Sequence, residues 1–402
     1  MTGQPLDVDA STGRDEAVPS AGPGVAEQPP GPSRRSTDAI LAVDVGATQF
    51  RAALVDARGA LIDRTSTLVP IGDGPESLYT SLAGVVEEMF VVAGRQGVRV
   101  RGVGVACVGP VERDLEAVSP LGMSWHRFPI RSRLRDLTGL PVFGDLDARG
   151  LALAEGWLGA AQGHANFCSI TISTTIGGGV VLDNELLDGE SGAGGQIGHI
   201  IVEPGGRRCI CGAQGCLEAE ASGLAVEAIT GRPHSEPTYA IMQRTGRLVG
   251  RAAASVCNVL DLSLVVVGGT VAVDFAATFF HAAQLSLDEH ARLPYSRGAR
   301  ITPSRLTESG PLLAAGALGW RGVRRSIRGT PVSDLASDPG SDTRLPPVAE
   351  PDPDTDTDRQ PDTDPDPDRH PDPDTDPDPD ADRHPDMDPD TQLPPVARSE
   401  LS

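Results

Sequence analysis

The chain alternates between two kinds of hydrophobic pattern. Apolar runs at 39–45 and 52–55, rich in Val, Ala, Ile and Leu, read as strands joined by turns at Gly46 and at "DARGA". "SLYTSLAGVVEEMFVVAGRQG" repeats apolar residues every three or four positions and stops at glycine, so it predicts an amphipathic helix. "VRGVGVACVGPV" and "GLPVFGDLD" predict two further strands, and "ARGLALAEGWLGAA" a helix directly after the second. The pattern then restarts. "FCSITISTTIGGGVVLDNELL" predicts strand, glycine turn, strand; residues 240–260 a helix; "LSLVVVGGTVA" a buried strand ending in glycines; and "GPLLAAGALGWRGV" a closing helix. Two stretches that each open on apolar strands around a polar or glycine-rich turn predict two α/β lobes with a cleft between them.

Neither end carries such a pattern. Residues 1–36 are rich in Pro, Gly, Ser and acids, and residues 331–402 are built on Asp-Pro repeats with "LPPVA" used twice. The formal net charge is -22, and most of it lies in that last segment. Alternating Asp and Pro bury no apolar surface and repel one another, so disorder is expected at both ends. The expected division is therefore 1–36 disordered, 37–147 a first lobe, 148–330 a second lobe whose closing helix can pack back on the first, and 331–402 a disordered acidic tail. No basic start leads into an apolar run, and no run of about 18 apolar residues occurs, so a soluble cytoplasmic protein is expected.

Lysine is absent; all 34 basic residues are arginine. This excludes a phosphate loop that depends on lysine, protein-kinase-like sites and Schiff-base chemistry. No basic stripe studded with aromatics suggests nucleic-acid binding, and 1–36 shows no two-helix DNA-binding pattern.

Three of the six cysteines, Cys209, Cys211 and Cys216, fall within "GHIIVEPGGRRCICGAQGCLE", after His199. Glycines and arginines surround them, which suits buried apolar thiols poorly, and a bridge between Cys209 and Cys211 is strained. Three thiolates and an imidazole on short loops fit a Cys₃His zinc site. Cys107, Cys168 and Cys257 sit singly in apolar surroundings and read as core residues.

Three turns are suited to phosphate. In "VDVGATQ" an aspartate ends a strand and Gly46 and Thr48 follow; "STTIGGG" offers Thr174, Thr175 and Gly177; "VVVGGT" offers Gly268 and Gly269. Backbone amides and hydroxyls in such turns cradle phosphate, and the Asp44 carboxylate can hold a metal or its water. In "GDLDARGLALAE", Asp147 precedes a helix. There it can cap the helix, or accept a proton from an attacking hydroxyl.

In this order the motifs resemble the sugar-kinase/actin-like ATPases (ribonuclease H-like fold), and specifically the ROK family of repressors, open reading frames and kinases. The likeness covers nearly all of residues 38–328 and is strongest in the zinc segment. It implies ATP-dependent phosphorylation of a hexose hydroxyl, as in glucokinases, with Mg²⁺ accompanying the nucleotide and a structural zinc. Asp147 matches the family's base, at the right distance from Glu155. Asp44, Gly46, Thr48, Thr174, Thr175, Gly177 and Gly269 match the nucleotide side. His199 matches the histidine that ligates zinc and contacts sugar, and Gln196 and Glu218 occupy sugar-contacting positions. Homo-oligomers, dimers or tetramers, are also implied. Four positions differ from the usual family residues: Leu146 and Arg149 replace asparagines, Gln196 replaces glutamate, and Gln49 stands where a basic residue is common. These leave two alternatives open: a kinase for another sugar such as an N-acetylhexosamine, and a sugar sensor with little kinase activity.

Overall fold

In a computed structural model the chain is described over residues 37–329, apart from 71, 73 and 307. The segments expected to be disordered, 1–36 and 331–402, lie outside the described residues.

The first apolar runs form β1 (Asp38–Val45), β2 (Gln49–Asp56) and β3 (Leu61–Leu68), an antiparallel meander. Helix α1 (Pro75–Gln96) follows, with proline in its first turn and Gly97 in the left-handed conformation at its end. Then come β4 (Arg99–Cys107), α2 (Ile130–Thr138) and β5 (Val142–Leu146), whose strands add in parallel to give the order β3-β2-β1-β4-β5. Helix α3 (Asp147–Leu158) leaves β5 without an intervening loop.

The second half repeats the plan. Strands β6 (Phe167–Ile172), β7 (Ile176–Leu182) and β8 (Glu185–Leu186) are antiparallel. After the cysteine segment come α4 (Leu217–Ala221), α5 (Gly223–Thr230) and α6 (Tyr239–Leu260). Next are β9 (Leu264–Gly268), α7 (Thr270–His290), β10 (Arg300–Pro303) and α8 (Gly310–Gly329). The second sheet has the order β10-β9-β6-β7-β8, with β9 and β10 parallel, so both sheets share one topology. The expected two-lobed α/β fold is the one observed.

Helix α1 covers one face of the first sheet through Leu78, Leu82, Val85 and Met89, while α6 and α7 cover the outer face of the second. Between the sheets lie α8, packed on β1 and β4, and α3, packed on β6 and β7 and against α8. The closing helix thus belongs by packing to the first sheet. Its approach is close because Gly104 and Gly319 meet with no side chain between them.

One expected turn is corrected. The glycines of "STTIGGG" are not in the turn; Gly177, Gly178 and Gly179 are inside β7, and the turn is Ser173–Thr175. A Cβ at Gly177 or Gly179 would run into Ala148 or Ala152 of α3, so these glycines let the helix lie against the strand. Periodicity cannot separate that use of glycine from a loop. Among the described residues no helix is long and apolar enough to cross a membrane.

Candidate functional site

The parallel strands β1, β4 and β5 point their carboxyl ends the same way, which is where open α/β sheets bind ligands. Across them Asp44 is level with Ala106 and Asp145, and Val45 with Cys107 and Leu146. Asp147 follows at the first turn of α3. Strand spacing of about 4.8 Å puts the backbones of Asp44 and Asp145 about 10 Å apart across β4.

Asp145 is occupied. Its carboxylate accepts from the Arg149 Nε at 2.9 Å and from the Leu146 amide. Asp147 accepts only from backbone, the Ala148 amide at 2.7 Å among its bonds. Burial pushes its carboxyl up to about 6, against those backbone bonds. Asp44 is buried at the end of β1, and burial raises its carboxyl to about 7. The Arg51 guanidinium opposes this rise and the nearby Asp147 adds to it. Burial first, then the charges of Asp147 and Asp44, raise the Cys107 thiol well above its ordinary value.

Asp147 opens onto a cavity of about 920 Å³. Gln196, His199 and Glu218 line it from the second half, as do Thr175 and Gly177. Asp44, Gly46, Thr48, Thr174 and Gly269 are not in its wall. Gly46 and Thr48 form the β1–β2 turn, where the Gly46 amide donates to the Gln49 carbonyl. The second turn packs on α5, the Gly223 and Leu224 amides donating to the Ser173 and Thr174 carbonyls. Gly269 precedes α7 with φ 96°, pressed on Ile172.

Glu218, on α4, accepts from the Ile176 amide at 2.5 Å, which ties the cysteine segment to the start of β7. Burial raises its carboxyl, opposed by that bond. The donor atoms of His199, Cys209, Cys211 and Cys216 all lie within 4.8 Å of one another, the only such group among the described residues. Cys209 Sγ is 3.7 Å from His199 Nδ1, and Cys211 Sγ 3.7 Å from Cys216 Sγ. Bonds of about 2.3 Å to a tetrahedral zinc give edges of about 3.7 Å, so the donor set fits that ion. Coordination through Nδ1 leaves the other ring nitrogen of His199 for a ligand. Four protein donors would leave such an ion no open position, which suits a metal that shapes the loop.

Sequence reasoning missed several residues. Arg51 is the cross-strand partner of Asp44, with Nη1 3.3 Å from its Oδ2. It shares a strand face with Gln49, as spacing by two requires, and so brings a cation beside the first turn. His234 links Glu227 at 3.3 Å to Thr270 at 3.3 Å, and Thr270 reaches Ser173 at 3.1 Å. This polar chain joins the second turn to the start of α7. Only the position of Thr270 after Gly269 hinted at it. Glu155, already singled out by its spacing from Asp147, is buried at the far end of α3, bonded to the Ala160 amide at 2.7 Å and to Ser304.

Residues 40–318 match the ROK family. A glucokinase of Thermotoga maritima is 35% identical over 189 residues, 46% of this chain and 58% of that protein. An N-acetylmannosamine kinase of Citrobacter koseri is 35% identical over 249 residues, 58% of this chain and 83% of that one. The crystal structure of a ROK family glucokinase from Streptomyces griseus, in complex with glucose and AMPPNP, superposes with a TM-score of 0.60 at 25% identity. It covers 71% of this chain and all of that one.

Proposed function

The chain belongs to the ROK family, and from that membership we propose that it is a sugar kinase transferring the γ-phosphoryl group of ATP to a hydroxyl of a hexose. The observation that carries the reading is the placement of Asp147. Its carboxylate, held near pKa 6, opens onto the same cavity as Gln196, His199 and Glu218. A base at that value is ionised at neutral pH and still basic enough to draw a proton from a hydroxyl as the oxygen attacks. The Streptomyces griseus relative was crystallised with glucose and an ATP analogue, which supports the pairing of sugar and nucleotide.

In this reading Gln196, His199 and Glu218 orient the sugar, and Asp147 accepts the hydroxyl proton while phosphorus is transferred in line. Gly46, Thr48, Thr174, Thr175 and Gly269 hold phosphates and nucleoside, with Gly177 keeping β7 close beneath α3. Mg²⁺ bound with the nucleotide would supply charge that neutralises phosphate, and Asp44 is the carboxylate that would hold it or its water. His199, Cys209, Cys211 and Cys216 would hold the zinc, which would fix the loop that presents His199 and Glu218. Retention of Asp44, both turns and Asp147 favours an enzyme over a sensor.

A second sugar class has one observation in its favour. Leu146, in place of an amide, packs on Gly109 and lines the cavity with Val111 and Leu121. That apolar wall suits an N-acetyl methyl group, the substituent carried by the substrate of the Citrobacter koseri relative.

The test is turnover. Zinc-loaded protein with Mg·ATP and a panel of hexoses and N-acetylhexosamines should yield one sugar phosphate, lost in Asp147→Asn. Full activity in that variant would overturn the role of the base, and no product from any sugar would overturn the kinase.

A further inference from the structure

Arg149 is one of the largest fully buried side chains, 1% exposed, and it faces groups from three parts of the chain. Its Nε donates to Asp145 at 2.9 Å, Nη2 to Asp188 at 2.8 Å, and Nη1 to the carbonyls of Leu187, at 2.7 Å, and Gly194. Asp188 in turn meets Arg321 at 3.4 Å and Arg325 at 3.6 Å, both on α8. The segment 187–194 closes around the guanidinium, with the Gly194 amide donating to the Asp188 carbonyl at 2.9 Å. Only a flat, five-donor cation can satisfy two carboxylates and two carbonyls at once.

Asp145 is two residues before Asp147 and Arg149 two after it. Gly194 is two residues before Gln196 and five before His199. One buried side chain therefore joins the strand end that carries the base to the loop that carries the sugar contacts. We infer that Arg149 is a positioning residue that sets the Gln196–His199 loop against Asp147, so that its loss weakens sugar use and spares nucleotide use. The inference rests on the sugar-kinase reading for its kinetic consequence, though not for the tie itself.

A merely structural arginine would lower stability and degrade both substrates alike. The experiment therefore compares Arg149→Lys, Arg149→Gln and Asp188→Asn with the unaltered protein by sugar KM, ATP KM, kcat and peptide-level hydrogen exchange. Asp188→Asn keeps the cation and removes one partner charge, so it carries the test if the Arg149 variants do not fold. The expected result is a sugar KM raised about tenfold or more with ATP KM within about twofold, the scale of losing one or two charge-assisted bonds. Exchange should rise over 187–199 and stay unchanged in α1. Equal changes in both KM values, or unchanged exchange over 187–199 in a folded variant, would overturn it. If the unaltered protein phosphorylates no sugar, the kinase reading fails separately, and exchange together with calorimetric titration of glucose and ATP still decides the tie.

Discussion

Arg51 and Asp44 face each other across β1 and β2, with Nη1 3.3 Å from Oδ2, and the guanidinium offsets only part of the cost of burying that carboxylate. In the unfolded chain the carboxyl titrates near 4. Folded, it titrates at about 7. Between those values the folded state binds the proton more tightly, so stability falls as pH rises, by on the order of 4 kcal/mol once pH exceeds 7. Asp44→Asn carries no such penalty. Its melting temperature should exceed that of the unaltered protein at pH 8 and converge with it near pH 4, while turnover drops by about a hundredfold or more. Melting curves across pH decide this, and a variant less stable at pH 8 would contradict it.

If Asp147 is the base, it should shape the lower part of the acid limb of activity. A base with its pKa at about 6 is lost as pH falls, and Asp44 at about 7 is lost before it, so log kcat/KM for sugar should begin to decline near 7 and steepen below 6. Asp147→Asn should remove the steepening below 6, leave the bend near 7, and lower kcat by about 10² to 10⁴. Steepening below 6 that survives in the variant assigns it to another group.

The cysteine cluster should hold one zinc per chain, countable by elemental analysis. Stripping it with a strong chelator should lower the melting temperature and sugar affinity, because His199 and Glu218 flank the metal loop, while ATP binding persists on turns elsewhere. Cys211→Ser should do the same, and restored zinc should rescue the stripped protein and not the variant.

Leu146→Asn returns an amide to the cavity wall. It should raise kcat/KM for unsubstituted hexoses relative to N-acetylated ones by about tenfold, because the amide can hydrogen-bond a sugar hydroxyl and no longer packs on an acetyl methyl. Competition between the two sugars in one assay measures the ratio directly.

Gly104→Ala would put a methyl group into the α8 backbone at Ala315 and Gly319. The helix must move off the sheet, and a loss of about 2–3 kcal/mol is expected in urea unfolding. Gly84→Ala, in open space on α1, is the control and should be neutral or slightly stabilising.

Much of this was legible in the chain because the signals were local. Apolar runs bounded by glycine located β1, β4, β6 and β9, and cysteine spacing located the metal group. The rest depends on contacts between distant segments. Arg51 is ordinary until the hairpin register sets it opposite Asp44. Arg149 reads only as a replacement for a family asparagine until 187–194 folds over it. The glycines of β7 read as a loop because their cause, helix α3, lies 20 to 30 residues earlier. Helix α7 is not legible after β9 because apolar residues lie on its exposed face too, Val273 and Leu285 among them, and blur the stripe that packs on α6.

The position of α8 also bears on how the chain leaves the ribosome. Ala42, Ala53, Val55 and Ala106 of the first sheet are covered by Leu312, Ala314, Ala315 and Leu318. The sheet ends at Leu146 and α8 begins only at Gly310, so the nascent sheet has one bare face until that helix has been made. The first lobe begins early in synthesis and closes last, so a truncation before residue 310 should damage the beginning of the protein more than the middle.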